Sequence, residues 1–406
     1  MSINQELPKP IFSDQKGSWA NTTITERLPE ILERVLAENA YRGEGLRSLQ
    51  NLMGEIPEGP IRLLREDDGP DLSSWQKYIQ PWAGKSWLKV PWFFAEHYFY
   101  RRIMEATAYF QRGEDPFLGQ KKEGLRQSLD AFSGYAAALE SWLADPPPCS
   151  QMLREGLLRS LWGNQADLSL WPAGSQDAPD HGDLAALRDH LLNDQSGEVI
   201  RLLTRSSGTA VKVALMADNA GSELLGDLAL IDLLLAHGRA AEVQLLVKAH
   251  PTFVSDVTAD DLSWTLRSLS EAQAGPVRSL AERLESYLAQ RRLIVKPDFF
   301  WNSPLPMWEL PGSLAQQLSR LDLLISKGDA NYRRLLGDRQ WDISTLFSEV
   351  VDYLPVPLTA LRALKAELAV DLSLDQVMEI HNQDPSWMID GKWAVIHFAP
   401  VSKERT

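Results

Sequence analysis

The run from Asp218 to Gly221 (Asp-Asn-Ala-Gly) places a carboxylate and an amide oxygen where an apolar stretch ends and a helical pattern begins. The free N–H groups of a helix N-terminus bind phosphate, and hard divalent cations prefer carboxylate and amide oxygens. A second acid, Asp256, follows another apolar stretch, so the pattern repeats. We therefore predict a site that handles a phosphoryl group with a divalent metal ion, and Asp218, Asn219 and Asp256 as its ligands.

Other segments carry polar groups suited to the rest of a phosphorylated substrate. Glu223 lies one helical turn after Asn219, where it can orient a ligand or a substrate hydroxyl. In a later loop, Asp329 can bond hydroxyl groups and Arg333 can clamp phosphate in a bidentate fork. Lys365, after a further apolar stretch, supplies the second positive charge that metal-assisted phosphoryl transfer needs.

The same residues also have structural explanations, and the residue pattern leaves both open. The sequence Asp-Asn-Ala-Gly is typical of turns and helix N-caps, and Asp256 can cap the helix that follows it. Glu223 can simply stabilise a helix dipole from the first turn. The segments around Arg333 and Lys365 can be helix starts with solvated basic faces.

Alternating strand-like and helix-like segments must position these residues. A helical face that starts at Leu224 ends at Gly238, between the first two of five strands. The predicted strands are Val211–Ala217, Val243–Val247, Leu321–Ile325, Pro357–Leu361 and Trp393–Phe398. This alternation predicts a three-layer α/β/α fold with a mostly parallel sheet. Ligands of such folds bind beyond the carboxyl ends of the strands, where the candidate residues lie.

The first half of the chain is rich in tryptophan and in helical periodicity, with few strand-like runs. We therefore predict an N-terminal, mainly helical domain over residues 1–200. The α/β domain that binds the metal and performs catalysis is predicted over residues 201–406. The division lies near residue 200 because the pattern changes there.

The overall composition narrows the class of protein. The 406 residues carry a net charge of -14, which argues against a broad nucleic-acid surface. No apolar run approaches the roughly 18 residues that a membrane helix needs, and the N-terminus lacks a secretory pattern. Cys149 is the only cysteine, so no intramolecular disulfide can form. We expect a cytoplasmic protein without a membrane or nucleic-acid partner, and its oligomeric state stays open.

Several familiar motifs are incomplete. The Gly84-Lys85-Ser86 run lacks the earlier glycine of a phosphate-binding loop, because residue 79 is isoleucine. Gly43 and Gly45 lack the third glycine of a dinucleotide-binding motif. No Gly-x-Ser-x-Gly elbow occurs, and the seven histidines show no zinc-type spacing.

Taken together, the segments occur in the order and approximate spacing of one family. They are Asp218–Leu224, Phe253–Val257, Gly328–Arg333 and Arg362–Lys365, with Pro91–Glu96, Tyr100–Ile103, Leu161–Asn164 and Asp167–Ser169 in the helical half. The chain resembles the damage-control phosphatases, a family first grouped as domain of unknown function eighty-nine. More narrowly, it looks like the subgroup that acts on sugar phosphates, whose eukaryotic members have also been described as protein-glutamate methyltransferases. The resemblance covers most of the chain.

By this resemblance, Asp218, Asn219 and Asp256 match the family's metal ligands, with manganese, nickel, cobalt or magnesium as the cation. The substrate-contacting positions are matched by the residues Glu223, Asp329, Arg333 and Lys365, with Asn164 and Asp167 contributing from the helical half. The family's Arg-Thr-Leu-Lys signature has Ala363 in place of threonine, so a hydroxyl contact is lost while the lysine is kept.

The function expected from the resemblance is metal-dependent hydrolysis of a small phosphate ester such as fructose 1-phosphate or fructose 6-phosphate. The nucleophile is either a metal-bound water molecule or Asp218 itself. One alternative is a methyltransferase that uses S-adenosylmethionine on protein carboxylates, although no glycine-rich loop follows the first strand. A second alternative is a binding protein for phosphorylated metabolites without catalysis.

Overall fold

A seven-stranded sheet lies at the centre of the computed structural model, which describes residues 6–65, 67–163, 188–205 and 211–401. The strand order is β1-β7-β6-β5-β2-β3-β4. The strands are β1 (Leu191–Asp194), β2 (Val211–Met216), β3 (Ala240–Lys248), β4 (Leu293–Asp298), β5 (Leu323–Lys327), β6 (Leu358–Ala363) and β7 (Ala394–Ala399). Strands β2 to β6 are parallel, whereas β7 pairs antiparallel with β6 and parallel with β1. The mostly parallel sheet confirms the predicted fold class.

The structure also contains many α-helices. They are α1 (Trp19–Thr22), α2 (Leu28–Glu38), α3 (Gly43–Glu55), α4 (Leu72–Ile79), α5 (Trp92–Thr107), α6 (Tyr109–Arg112), α7 (Leu118–Ala144), α8 (Cys149–Trp162), α9 (Ser196–Leu203), α10 (Ser222–Ala236), α11 (Ala259–Ser270), α12 (Gly275–Ala289), α13 (Gly312–Leu318), α14 (Asp329–Leu336), α15 (Phe347–Val350) and α16 (Leu374–Gln383). A π-helical segment, Thr23–Arg27, joins α1 to α2. No helix among the described residues is long and apolar enough to cross a bilayer.

Side chains alternate between the two faces of the sheet, as strand geometry requires. Along β2, Val213 and Leu215 enter a core with α7, α8 and α10 to α12, whereas Ala214 and Met216 enter a core on the opposite face. A third core lies among α2 to α5 and is rich in aromatic side chains. Two covered faces around one sheet give the three layers.

The five predicted strands are all present, with ends that differ by up to three residues from the predicted ones. The sequence pattern missed β1, which has four residues, and β4, which contains Lys296 and Pro297. Both are edge strands, where burial on two faces does not enforce an apolar pattern. The sheet therefore begins before residue 200, and the division into domains at that residue stays a prediction.

Close packing of α8 against α10 fixes where α10 begins, which is beside the Asp218 loop. A Cβ atom on Gly226 of α10 would lie 2.8 Å from the carbonyl oxygen of Arg159 in α8. On the other side of the contact, a Cβ on Gly156 would lie 3.1 Å from Leu230. The two helices approach this closely because glycine stands at both positions.

Gly226→Ala is expected to destabilise the protein by about 1–3 kcal/mol, because the added methyl group must separate α8 from α10. The control is Gly134→Ala in α7, where no atom lies within 4 Å of the place that the new methyl group would occupy. That change is expected to be neutral or stabilising by up to about 1 kcal/mol. Denaturation of both variants by urea provides the measurement. Equal stabilities would contradict the proposed close contact.

Candidate active site

The carboxyl ends of four parallel strands meet at one cavity of about 420 Å³. Residues from the loops after β2, β3, β5 and β6 line it, and α2, α5 and α7 complete its walls. The sequence-predicted residues that line it are Asp218, Asn219, Asp256, Asp329, Arg333 and Lys365. Glu223 lies behind this lining, while Asn164 and Asp167 fall outside the described residues. The structure thus brings together six candidates from four separate segments, and their roles stay predictions.

Backbone pairing joins the two loops that carry the predicted metal ligands. Asn219 and Asp256 form an isolated antiparallel bridge. The N–H of Val257 donates to the carbonyl oxygen of Asp218 at 2.8 Å. The N–H of Ala220 donates to the carbonyl oxygen of Ser255 at 2.7 Å. The three predicted ligands are therefore held side by side by main-chain hydrogen bonds, independently of their own side chains.

Gly328, at the end of β5, allows the carboxylate of Asp218 to sit where it does. A Cβ atom on this glycine would lie 1.9 Å from Oδ2 of Asp218, which no side chain could tolerate. Its φ of +82° also lies in the region that favours glycine. The loop that delivers Asp329 thus closes over the carboxylate of Asp218.

Asp218 and Asp256 are both buried, and burial disfavours the charged form of each carboxylate. Burial raises the pKa of Asp218 well above its ordinary value, and the neighbouring Glu223 and Asp256 raise it further. Burial also raises the pKa of Asp256 to about 6, although Lys248 opposes the change. Nζ of Lys248 lies 3.2 Å from Oδ2 of Asp256, yet no described donor is oriented to give that buried oxygen a hydrogen bond. The positive charge near these two buried carboxylates therefore does not offset the effect of burial on their pKa values.

Behind the cavity, Lys327 neutralises a second pair of buried acids. Its Nζ lies 3.0 Å from Oε1 of Glu223 and 2.9 Å from Oδ1 of Asp227, and it donates to the carbonyl oxygen of Ser160 at 2.6 Å. Burial lowers the pKa of Lys327, but the two acids outweigh burial and raise it. Glu223 in turn accepts a hydrogen bond from Nδ2 of Asn219 at 3.0 Å, so it orients that amide.

Sequence reasoning missed Lys327, because the predicted strand ended at Ile325, two residues before this lysine. The observed strand runs two residues further and buries this side chain completely. The signal that could have found it is a lysine directly before Gly328. Lys121, Glu96 and Tyr100 also line the cavity without having been predicted.

Asp329 holds the loop that carries Lys365. Its Oδ1 accepts hydrogen bonds from Nε of Arg362 at 2.8 Å and from the backbone N–H of Lys365 at 3.1 Å. The side-chain amine of Lys365 forms no ion pair with any residue in the described ranges. Asp329 therefore positions the lysine, and the lysine's charge stays available to the cavity.

Arg333 is more constrained than its sequence position indicates. Nη1 donates to Glu96 at 2.6 Å, while Nε and Nη2 donate to the two oxygens of Asp338 at 2.8 and 3.1 Å. The guanidinium also stacks over the ring of Trp92, 3.6 Å from its centroid. These contacts fix the arginine in the cavity wall and occupy three of its five N–H groups.

Comparisons with known proteins found matches that cover most of the chain. The model of the damage-control phosphatase ARMT1-like domain matches residues 23–380. Damage-control phosphatase ARMT1 of Danio rerio is 30% identical over 98% of this chain and 98% of its own length. The protein of the same name from Homo sapiens is 28% identical over 97% and 98%. A solved DUF89-family protein from Pyrococcus horikoshii is 13% identical, with a TM-score of 0.48 over 93% of this chain and 96% of that chain.

The matched region contains the whole cavity lining from Thr23 onward, including the Asp218, Asp256 and Lys365 loops. The chain therefore belongs to the damage-control phosphatase family, as a protein with an ARMT1-like domain.

Proposed function

We propose that this protein is a metal-dependent phosphatase that hydrolyses small sugar phosphates such as fructose 1-phosphate or fructose 6-phosphate. The observation that carries the proposal is the convergence in one cavity of two buried carboxylates with raised pKa values, Asp218 and Asp256, and the amine of Lys365, which forms no ion pair with a described residue. Oxygen ligands beside a cationic side chain suit a metal ion and a phosphate group.

The donor set fits a hard divalent cation. Within the described ranges, no three His, Cys, Asp or Glu side chains form a metal-binding cluster, so the site we propose combines two carboxylates with an amide. Asp218, Asn219 and Asp256 would hold the ion, and none of the residues that the structure describes gives the buried Oδ2 of Asp256 a hydrogen bond. Magnesium, manganese, cobalt and nickel all accept oxygen ligands of this kind. When bound, the ion supplies Lewis-acid polarisation of the phosphoryl oxygens.

The chain's own residues then bind and orient the ester. Lys365 neutralises charge on the phosphoryl oxygens, and Asp329 holds the backbone of that lysine in place. Arg333, fixed by Glu96 and Asp338, offers its remaining N–H groups to the phosphate.

Hydrolysis breaks the bond between phosphorus and the ester oxygen, which leaves with a proton as the sugar hydroxyl. The attacking group is either water, whose proton passes to a site carboxylate, or the carboxylate of Asp218, which would give a phospho-aspartate that water then hydrolyses. Acid quenching during turnover of a phosphorus-labelled ester separates these routes, since only the second leaves label on the protein.

Asp256→Asn is expected to lower phosphate release from fructose 1-phosphate by more than about 100-fold, because it removes a charged ligand while keeping the side-chain shape. Treatment of the natural protein with a chelator should have the same effect. Added manganese, cobalt, nickel or magnesium should then restore activity.

The matched control is Asp260→Asn, at an exposed acid in the first turn of α11. It should keep natural activity, and circular dichroism should show that both variants are folded. Natural turnover by Asp256→Asn, or activity that survives chelation, would contradict the metal-dependent mechanism.

Lys365→Ala is expected to raise KM for fructose 1-phosphate by about 10- to 100-fold, the usual effect of losing a charge-assisted hydrogen bond. Because the lysine binds phosphate in both the ground state and the transition state, kcat should change much less. Steady-state kinetics provide the test, with Lys296→Ala on the exposed part of β4 as the control. A fall in kcat at constant KM would show that the role of the lysine is misassigned.

The two other functions considered from sequence give different results in the same experiments. A methyltransferase would bind S-adenosylmethionine in calorimetry without any added metal ion. A binding protein would bind the sugar phosphate tightly but release no phosphate with any of the four metals. The proposed phosphatase binds the sugar phosphate with metal present and releases phosphate.

A further inference from the structure

The cationic side chains of the cavity fall into two groups. Five lysine and arginine side chains line the cavity. Buried carboxylates hold Lys121 and Arg333 in ion pairs. The other three, Arg27, Arg34 and Lys365, form no ion pair with any residue whose position the structure gives. One phosphate group that contacts Lys365 and a bound metal ion would leave both arginines without an anionic partner.

Arg27 and Arg34 share one face of the N-terminal helical segment. Arg27 ends the π-helical turn, and Arg34 follows seven residues later on α2. Residues at this spacing lie two helical turns apart on the same side, about 10 Å along the axis. The guanidinium of Arg27 lies over the ring of Trp19, 4.9 Å from its centroid, so that side chain is already held in place.

The segment that carries the two arginines is attached to the loop that carries Lys365. The backbone N–H of Trp19 donates to Oε2 of Glu367 at 3.0 Å, and Glu367 lies two residues after Lys365. The segment that carries the two arginines and the loop that carries Lys365 therefore hold each other across the cavity.

Tyr100 shows that the arginines reach the same electrostatic environment as the predicted metal ligands. Burial raises the pKa of Tyr100, and Glu96 and Asp256 raise it further, whereas Arg27 and Arg34 lower it. The two arginines and Asp256 thus act on one hydroxyl from different sides of the cavity.

We propose that Arg27 and Arg34 bind a second anionic group of the substrate, so that the preferred substrate is a sugar that carries two anionic groups, such as a sugar bisphosphate. This rests on the proposed phosphatase function, because Lys365 and the metal ion are assigned to the phosphate that is hydrolysed. Guanidinium groups recognise phosphate in bidentate geometry. A cavity of about 420 Å³ also lies in the usual range for small-molecule sites.

The charge of the whole chain supports a specific role for these arginines. With a net charge of -14, the protein as a whole repels small anions. Two arginines without an ion pair in the described ranges, in the lining of the cavity that holds the predicted metal ligands, therefore favour recognition of an anionic group there. If the two arginines only attracted anions during approach, their removal would slow the reaction of every phosphate ester. That effect would increase with the charge of the ester and would weaken as the salt concentration rises.

The test compares fructose 1,6-bisphosphate with fructose 1-phosphate on the full-length protein with manganese. The natural protein should have the higher kcat/KM for the bisphosphate. In Arg27→Gln, Arg34→Gln and the double variant, the ratio of the two kcat/KM values should fall by about tenfold or more. The control is Arg47→Gln, which removes the same charge from an exposed site outside the cavity and should keep the natural ratio.

Two further measurements distinguish specific binding from general electrostatic attraction and binding from turnover. The experiment is repeated at raised salt, and calorimetry measures binding of both sugars to each variant independently of turnover. A natural ratio of one or less, a ratio unchanged in the arginine variants, or a loss that salt abolishes would overturn the second anionic subsite. Tighter binding of the bisphosphate that depends on both arginines, without phosphate release from either sugar, would support the subsite and overturn the proposed phosphatase.

Discussion

The structure depends on one electrostatic constraint, which is that two carboxylates are buried side by side. Main-chain hydrogen bonds between the loops after β2 and β3 fix Asp218 and Asp256 next to each other. Removing charge from water is costly, and two like charges at short range increase the cost. The raised pKa of each acid expresses that cost. A site of this kind is stabilised by any cation that enters it, which is why it suits a metal ion.

Residues behind the cavity partly offset the negative charge of these carboxylates. Lys248 and Lys327 end β3 and β5, the two strands that flank β2. Lys248 pairs with Asp256, and Lys327 pairs with Glu223 and Asp227. Glu223 connects Lys327 to the amide of Asn219, so the buried lysine also orients a predicted ligand. Because these partners approach from the protein side, the cavity side of the carboxylates remains open to a ligand.

The N-terminal helices form the outer wall of the cavity. Arg333 is fixed against α5 through Glu96 and Trp92, so one charge that the sequence assigns to substrate is largely used to join the layers. Arg27 and Arg34 approach from α2 and its preceding turn without ion pairs in the described part of the chain. A strongly acidic protein thus concentrates available positive charge at the one place where the proposed substrate enters.

The sequence by itself determined the fold class, the five inner strands and the segments that form the site. Those features follow from local periodicity and from short polar runs after apolar stretches, which one chain segment contains in full. The edge strands β1 and β4, the buried role of Lys327 and the ion pairs of Arg333 were decided only by the tertiary structure. Each depends on partners far away in the chain, because burial and neutralisation are properties of packed neighbours. A residue type and its spacing show which charges are present, but only packing decides which of them remain unpaired.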